Sequence, residues 1–315
     1  TCANIGNVLW NWRMLQITGD AKYADIVELA LYNSVLSGMN LEGDKFLYNN
    51  PLNVSNDLPF HQRWGNVREG YIALSNCCAP NVTRTVAEVG NYAYNLSNDG
   101  LYVNLYGSNT LNTKTLNGET LEIEQQTNYP WDGKVTLKIL KAPKDLQNFF
   151  LRIPGWSQNA EVSVNNSKIS DKIVSGTYLK LNQKWKKGDV IELNMPMPVE
   201  LMEANPLVEE VKNQVAVKRG PLVYCLESDQ LPANTSVNDV ILNLNSDFKT
   251  DFTELKNRKL VTIQATSKIA ADNSWNKILY KPISTKDGKS VTVKLIPYFA
   301  WGNKGQGEMT VWMSH

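Results

Sequence analysis

A helical segment followed by two antiparallel β-sandwich domains is the architecture that this 315-residue sequence predicts. Three observations lead there. Apolar residues recur at helical spacing over the first hundred positions and alternate beyond Gly100. The alternating runs are too many for one small sandwich. A Pro-rich run, "MPMPVELMEANP", interrupts them around Glu200. Helices grouped first and strands afterwards mean separate domains rather than βαβ units, with limits at 1–97, 98–199 and 200–315.

Ile5, Val8, Leu9, Trp12 and Leu15 form one apolar stripe that stops at "TGD". Asp20 is placed to N-cap a second helix, whose stripe of Tyr23, Ile26, Val27, Ala30, Leu31 and Val35 ends near Gly38. Two helices joined by so short a turn should pack antiparallel. Residues 40–70, rich in Asn, Pro and Gly, read as irregular, and Pro80 and Asn81 open a third helix running through Val82, Val86, Val89 and Tyr92 to Tyr94. From there "LYVNLYG", "KVTLKIL", "NFFLRIP", "AEVSVNN" and "DVIELNM" alternate between turn residues. After the Pro-rich run the same texture resumes in "QVAVKRG", "PLVYCLE", "DVILNLN", "LVTIQAT", "SVTVKLIPYFAW" and "MTVWMS".

Charge excludes some partners. Thirty-two Lys and Arg stand against 31 Asp and Glu, a net charge of +1, so no global field favours nucleic acid or an anionic membrane. No apolar run of about 18 residues exists to span a bilayer. Nine Trp and 13 Tyr are an excess that β-sheet cores use and that sugar rings also stack upon. The chain opens with "TCANIGNVLWNW", which has no initiator Met and no signal-type core, so it reads as a cut within a larger protein or within a processed one, with any targeting signal upstream. Localisation is therefore not encoded here. Triplets such as "NVT" at 81 matter for glycosylation only in a eukaryotic secretory setting, of which there is no sign.

"SNCCAPN" sets Cys77 beside Cys78, with only Cys2 and Cys225 elsewhere. Neighbouring Cα atoms are about 3.8 Å apart, whereas disulfides favour about 4.4–6.8 Å, so a vicinal bridge would be strained. Cys2 opens one helix and Cys77 and Cys78 sit at the entry of another, where backbone N–H groups favour a thiolate. If the two helix starts meet, three thiolates and a fourth ligand suit tetrahedral Zn²⁺. Three buried thiols acting as small hydrophobes is an equal reading of the same residues. Cys225, inside "PLVYCLE", reads as core. His61 in "PFHQRWGN" is a loop histidine, either solvated or a ligand, and His315 is terminal. Glu42, Asp44, Asp57 and Glu69 are loop carboxylates, among which spacing selects no glycosidase pair. Phosphate-binding glycine loops and a GxSxG elbow are absent.

"TCANIGN", followed 75 positions later by "NCCAPN" with "YNNPL" between, resembles the glycoside hydrolase family of β-L-arabinofuranosidases. The likeness continues in order through "YPWDG", "LRIPGW", "KWKKGDVIEL", "VAVKRGPLVYCLE" and "IPYFAWGNKGQGEM", covering nearly the whole chain. The resemblance implies an (α/α)6 barrel carrying the active site, of which this chain would hold the last helices, then two β-sandwich domains. It implies Zn²⁺ held by a Glu and three Cys, here Cys2, Cys77 and Cys78, with Cys77 also the nucleophile. Tyr48 in "YNNPL" matches a tyrosine that hydrogen-bonds the sugar, or else is a packed loop aromatic.

Thr1 corresponds to the residue after the ligand Glu, so that Glu and the family's acid/base Glu would lie upstream. Ala79 stands where many members have proline. The implied chemistry is a retaining hydrolysis, in which the Cys77 thiolate attacks the furanose C1 while a carboxylic acid protonates the leaving oxygen. The expected partners are an oligosaccharide substrate and the missing N-terminal barrel segment, and a homodimer through the sandwiches is conceivable. The competing expectation is a non-catalytic carbohydrate-binding or structural β-sandwich fragment, with a structural metal or none.

Overall fold

The structure, a computed structural model, describes residues 1–55, 68–70, 76–144, 148–270, 278–280, 282 and 288–315. It is mostly β-sheet with a few helices near the start. No helix among the described residues is long and apolar enough to cross a membrane. The chain divides into two compact units, one of residues 2–35 and 80–198, the other of Thr1, 36–79 and 199–315.

In the first of these, α1 (Cys2–Thr18) ends where Gly19, at φ +67°, turns the backbone left-handed and donates its N–H to the Leu15 carbonyl at 2.8 Å. α2 (Ala21–Leu29) begins at Asp20, whose carboxylate accepts from the Lys22 N–H at 3.0 Å, as the capping pattern predicts. The helix then widens into a π-helical stretch, Ala30–Val35, and tightens over Leu36–Gly38. Asn33 and Ser34 there donate to the carbonyls of Leu29 and Ala30, four residues back, which competes with the regular ladder. The buried stripe is rotated from the predicted one. Leu9 and Ile26 are exposed, whereas Asn11, Ala24 and Glu28 are buried.

The third helix, α3 (Cys78–Ala87), starts two residues before the predicted Pro80 and stops earlier than predicted. Tyr94 opens the strand Tyr94–Ser97 instead of closing the helix. Its hydroxyl donates to Asn109 at 2.8 Å and accepts from Gln125, partners that only the sheet supplies.

Two sheets complete this unit. One has four strands, ordered Thr177–Asn182, Asn148–Ile153, Gly100–Val103 and Tyr94–Ser97. The other has six, ordered Asn109–Lys114, Thr120–Thr127, Lys134–Lys141, Val190–Asn194, Glu161–Val164 and Ser167–Lys168. Alternation is plain in Lys134–Lys141, where Val135, Leu137 and Ile139 point inward. They share one hydrophobic core with Leu101, Phe149 and Leu151 of the four-stranded sheet. Contrary to an all-antiparallel arrangement, Gly100–Val103 and Asn148–Ile153 run parallel, which a long connection through the second sheet permits. "LYVNLYG" also departs from its predicted alternation. Asn104 and Tyr106 are buried because the Asn104 carbonyl accepts from Arg152 and the Tyr106 hydroxyl donates to the Arg152 carbonyl.

The other unit is built on a ten-stranded sheet. Its central strands are Leu222–Glu227, Lys289–Pro297 and Arg258–Ile269, with Val199–Glu203 at one end and Asn53–Val54 at the other. Pairing is antiparallel except between Val240–Leu242 and Trp312–Ser314. Glu200, the residue near which the sequence suggests a junction, lies within the strand Val199–Glu203, and the unit changes after Pro198. Arg68 is buried, with Nε and Nη2 donating to the Ser37 carbonyl and Nη1 to that of Trp301.

Candidate active site

The site is set by the N-terminus of α3, where the first backbone N–H groups have no helical carbonyl to meet and so favour negative charge. Cys78 is the first residue of that helix, and Cys77 immediately precedes it. Their sulfurs are 3.9 Å apart and they form no vicinal disulfide. Cys2 is likewise the first residue of α1. Asn81, one turn along α3 from Cys78, donates from Nδ2 to Cys2 Sγ at 3.4 Å. A single unbroken helix thus carries Cys78 and the side chain that holds Cys2, and the three sulfurs all lie within 4.8 Å of one another.

Residues beside the cluster are tied down. The Thr1 hydroxyl donates to the Leu47 carbonyl at 2.7 Å, and its backbone nitrogen donates to that of Tyr48 at 2.7 Å. Asn50 in turn donates to the Ser37 hydroxyl at 2.6 Å. The half-buried Tyr48 therefore belongs to a segment anchored to the residue preceding Cys2.

Accessibility grades the three thiols. Cys78 is buried, Cys2 is half-buried and Cys77 is exposed, so Cys77 is the most accessible residue of the three. The donor set fits a metal. Tetrahedral zinc with Zn–S of about 2.3 Å needs sulfurs about 3.8 Å apart, close to the 3.9 Å between Cys77 and Cys78, and the third sulfur lies within 4.8 Å of both. Among the described residues the cluster holds three cysteines and no carboxylate or histidine.

The other candidates lie elsewhere. Cys225 is fully buried in the strand Leu222–Glu227, and burial pushes its thiol well above the usual range, as suits a core residue. Glu42 and Asp44 are exposed and accept from the Asn40 amide, and Glu42 pairs with Lys256 at 3.2 Å. Glu69 is exposed, its backbone paired with Phe46. His61 and Asp57 fall outside the described residues, and His315 is exposed at the chain end. Sequence reasoning missed Asn81, taking it only as a helix start. Its partner is 79 residues away, beyond the range of any local signal.

Comparison with known proteins identifies the chain's kin. Residues 1–91 match the family model "Beta-L-arabinofuranosidase, GH127 catalytic domain", residues 100–197 the corresponding middle domain, and residues 199–314 the "Glycoside hydrolase family 127 C-terminal domain". A "Non-reducing end beta-L-arabinofuranosidase" of Bifidobacterium longum subsp. longum is 30% identical, over 99% of this chain and 48% of its own length. A solved structure described as "Glycoside hydrolase" superposes with a TM-score of 0.95 at 47% identity, covering 99% of this chain and 51% of that one. A GH127 beta-L-arabinofuranosidase from Geobacillus stearothermophilus T6 gives a TM-score of 0.90 at 37% identity, over 99% and 49%. The chain thus spans about half the length of the relatives it matches. With three models of one family matched in order from end to end, the chain belongs to glycoside hydrolase family 127.

Proposed function

We propose that this chain is the C-terminal portion of a retaining β-L-arabinofuranosidase acting on β-linked L-arabinofuranosides of plant-type glycans. The observation that carries the proposal is the exposed Cys77 thiol beside the buried Cys78 and half-buried Cys2 at a helix N-terminus. Cys2, Cys77 and Cys78 are the residues that would hold Zn²⁺. Bound there, zinc supplies positive charge that keeps the thiols deprotonated at neutral pH. Cys77 Sγ attacks the anomeric carbon. The bond from that carbon to the leaving oxygen breaks as a carboxylic acid protonates the oxygen, leaving a thioglycosyl bond to Cys77. Water then attacks the same carbon, giving its proton to the carboxylate left by the first step, the Cys77 thiolate departs, and the configuration is retained over two inversions.

Tyr48, anchored beside Cys2 through Thr1, would hydrogen-bond the sugar. The acid and the fourth ligand would come from the portion of its relatives' length that this chain does not span, in keeping with its covering about half of each. In this reading 1–97 completes an (α/α)6 barrel, and 98–199 and 200–315 are β-sandwich domains.

The test is made on the whole protein. It should bind one zinc per chain and cleave an aryl β-L-arabinofuranoside, and Cys77→Ser should lower kcat on the order of a thousandfold or more. A metal-free protein that cleaves no such glycoside would instead support a non-catalytic carbohydrate-binding fragment, and a Cys77→Ser variant with native turnover would take the nucleophile role from Cys77.

A further inference from the structure

We infer that Asn81 is a positioning residue which holds Cys2 Sγ as an anchoring ligand, leaving Cys77 as the sulfur that reacts. The inference rests on the zinc-thiolate reading above and adds a residue to it. Its basis is a relay of two hydrogen bonds. Arg84 Nη2 donates to Asn81 Oδ1 at 2.9 Å, and Asn81 Nδ2 donates to Cys2 Sγ at 3.4 Å.

The relay settles which end of the amide faces the sulfur. A guanidinium has donors and no acceptor, so the amide oxygen must face Arg84 and the NH₂ must face Cys2. That polarity matters chemically. A thiolate is a far better acceptor than a thiol, because hydrogen bonds to a charged acceptor are the strong ones. An N–H directed at Cys2 Sγ therefore hydrogen-bonds the ligating sulfur and, once it is bound as a thiolate, spreads part of its charge over the amide. It also selects the side-chain rotamer that turns Cys2 towards α3.

Arg84 is exposed and one turn beyond Asn81, so its contribution is to stop the amide from flipping. The three sulfurs are thereby given unequal roles. Cys78 is buried, Cys2 is held by Asn81, and Cys77 is open to solvent. Outer partners of metal ligands act by such orientation and charge transfer, and losing one typically weakens metal binding about 10- to 100-fold.

The experiment measures metal binding in the whole protein by competition with a chromophoric chelator, together with the sulfur-to-metal charge-transfer band after cobalt substitution. Asn81→Ala should weaken zinc about 10- to 100-fold while keeping one zinc per chain at saturation. Its cobalt band should move to longer wavelength, because a thiolate without its N–H partner gives up an electron more easily. Arg84→Ala, which frees the amide to rotate, should move both readouts in the same direction by less. Circular dichroism confirms that each variant is folded, and a merely structural role would leave the band in place. Native zinc affinity with an unmoved band in Asn81→Ala would overturn this inference alone. A native protein that takes up no zinc would overturn the zinc reading and this inference together.

Discussion

Arg152 is fully buried at the centre of a sheet, and its Nη2 donates to Glu28 Oε1 at 2.5 Å across 124 residues of sequence. Asp25 takes Nη1, the Tyr129 hydroxyl donates to Glu28 at 2.6 Å, and the Trp156 indole N–H reaches the other Glu28 oxygen at 3.3 Å. These bonds fasten α2 to the strand Asn148–Ile153. They also explain two motifs, since Tyr129 belongs to "YPWDG" and Arg152 and Trp156 belong to "LRIPGW".

Removing Glu28 leaves a buried guanidinium half paired. Glu28→Ala should therefore destabilise this unit by about 3–5 kcal/mol. Tyr129→Phe, which deletes one buried hydrogen bond, should cost about 1–3 kcal/mol. Denaturant unfolding of the variants and the double mutant measures both terms, and additive costs would show that the two side chains do not act through one network.

The four cysteines should separate into two classes. Cys225→Ser puts a hydroxyl at a fully buried strand position, so it should lower stability by about 1–3 kcal/mol and leave zinc stoichiometry unchanged. Cys2→Ser and Cys78→Ser should lower zinc occupancy with smaller effects on the unfolding midpoint. Metal analysis beside thermal unfolding distinguishes the classes.

Burial raises the Glu227 carboxyl above its ordinary value of 4.5, outweighing the Gly302 N–H that donates to it at 2.6 Å and the nearby Lys304 and Arg68. Its other oxygen is buried without a partner among the described residues. The native state thus keeps a proton that the unfolded chain has released. This contribution to stability is present below pH 4.5 and is lost as pH rises through the raised value. Glu227→Gln should remove that loss, so its stability should fall less than the native protein's over this window. Parallel stability curves for the two proteins would refute the assignment.

Gly133 packs its backbone against Met195, whose N–H donates to the Gly133 carbonyl at 2.9 Å. A Cβ built on Gly133 would lie 1.8 Å from the Met195 carbonyl oxygen. Backbone cannot yield as a flexible side chain does, so Gly133→Ala should destabilise by at least about 1–3 kcal/mol. The thermal midpoint reads this directly.

If the acid lies in the half of its relatives' length that this chain does not span, as proposed, the 315-residue chain on its own should not turn over β-L-arabinofuranosides. Robust hydrolysis by this chain, assayed free of any upstream segment, would assign the acid to a carboxylate within it.

Where signals act over one turn of chain, the residues alone were decisive. Gly19 and Asp20 punctuate α1 and α2 as read, the helix that follows ends at Gly38, and strands such as Lys134–Lys141 show their inward face in plain alternation. The change of spacing near Gly100 marks the passage from helix to sheet, and the motif order marks the family. Tertiary structure alone decided where charge is buried and which polar groups meet. Asp25 and Glu28 look like the solvent face of a helix until Arg152 arrives from another strand. Tyr94 leaves its helix for hydrogen bonds that Asn109 and Gln125 offer. Asn81 is an ordinary first-turn residue until α1 brings Cys2 against it. Periodicity and capping are set by neighbours three or four positions away, whereas desolvating an ion or aiming an amide at a sulfur depends on partners that only the folded chain brings within reach.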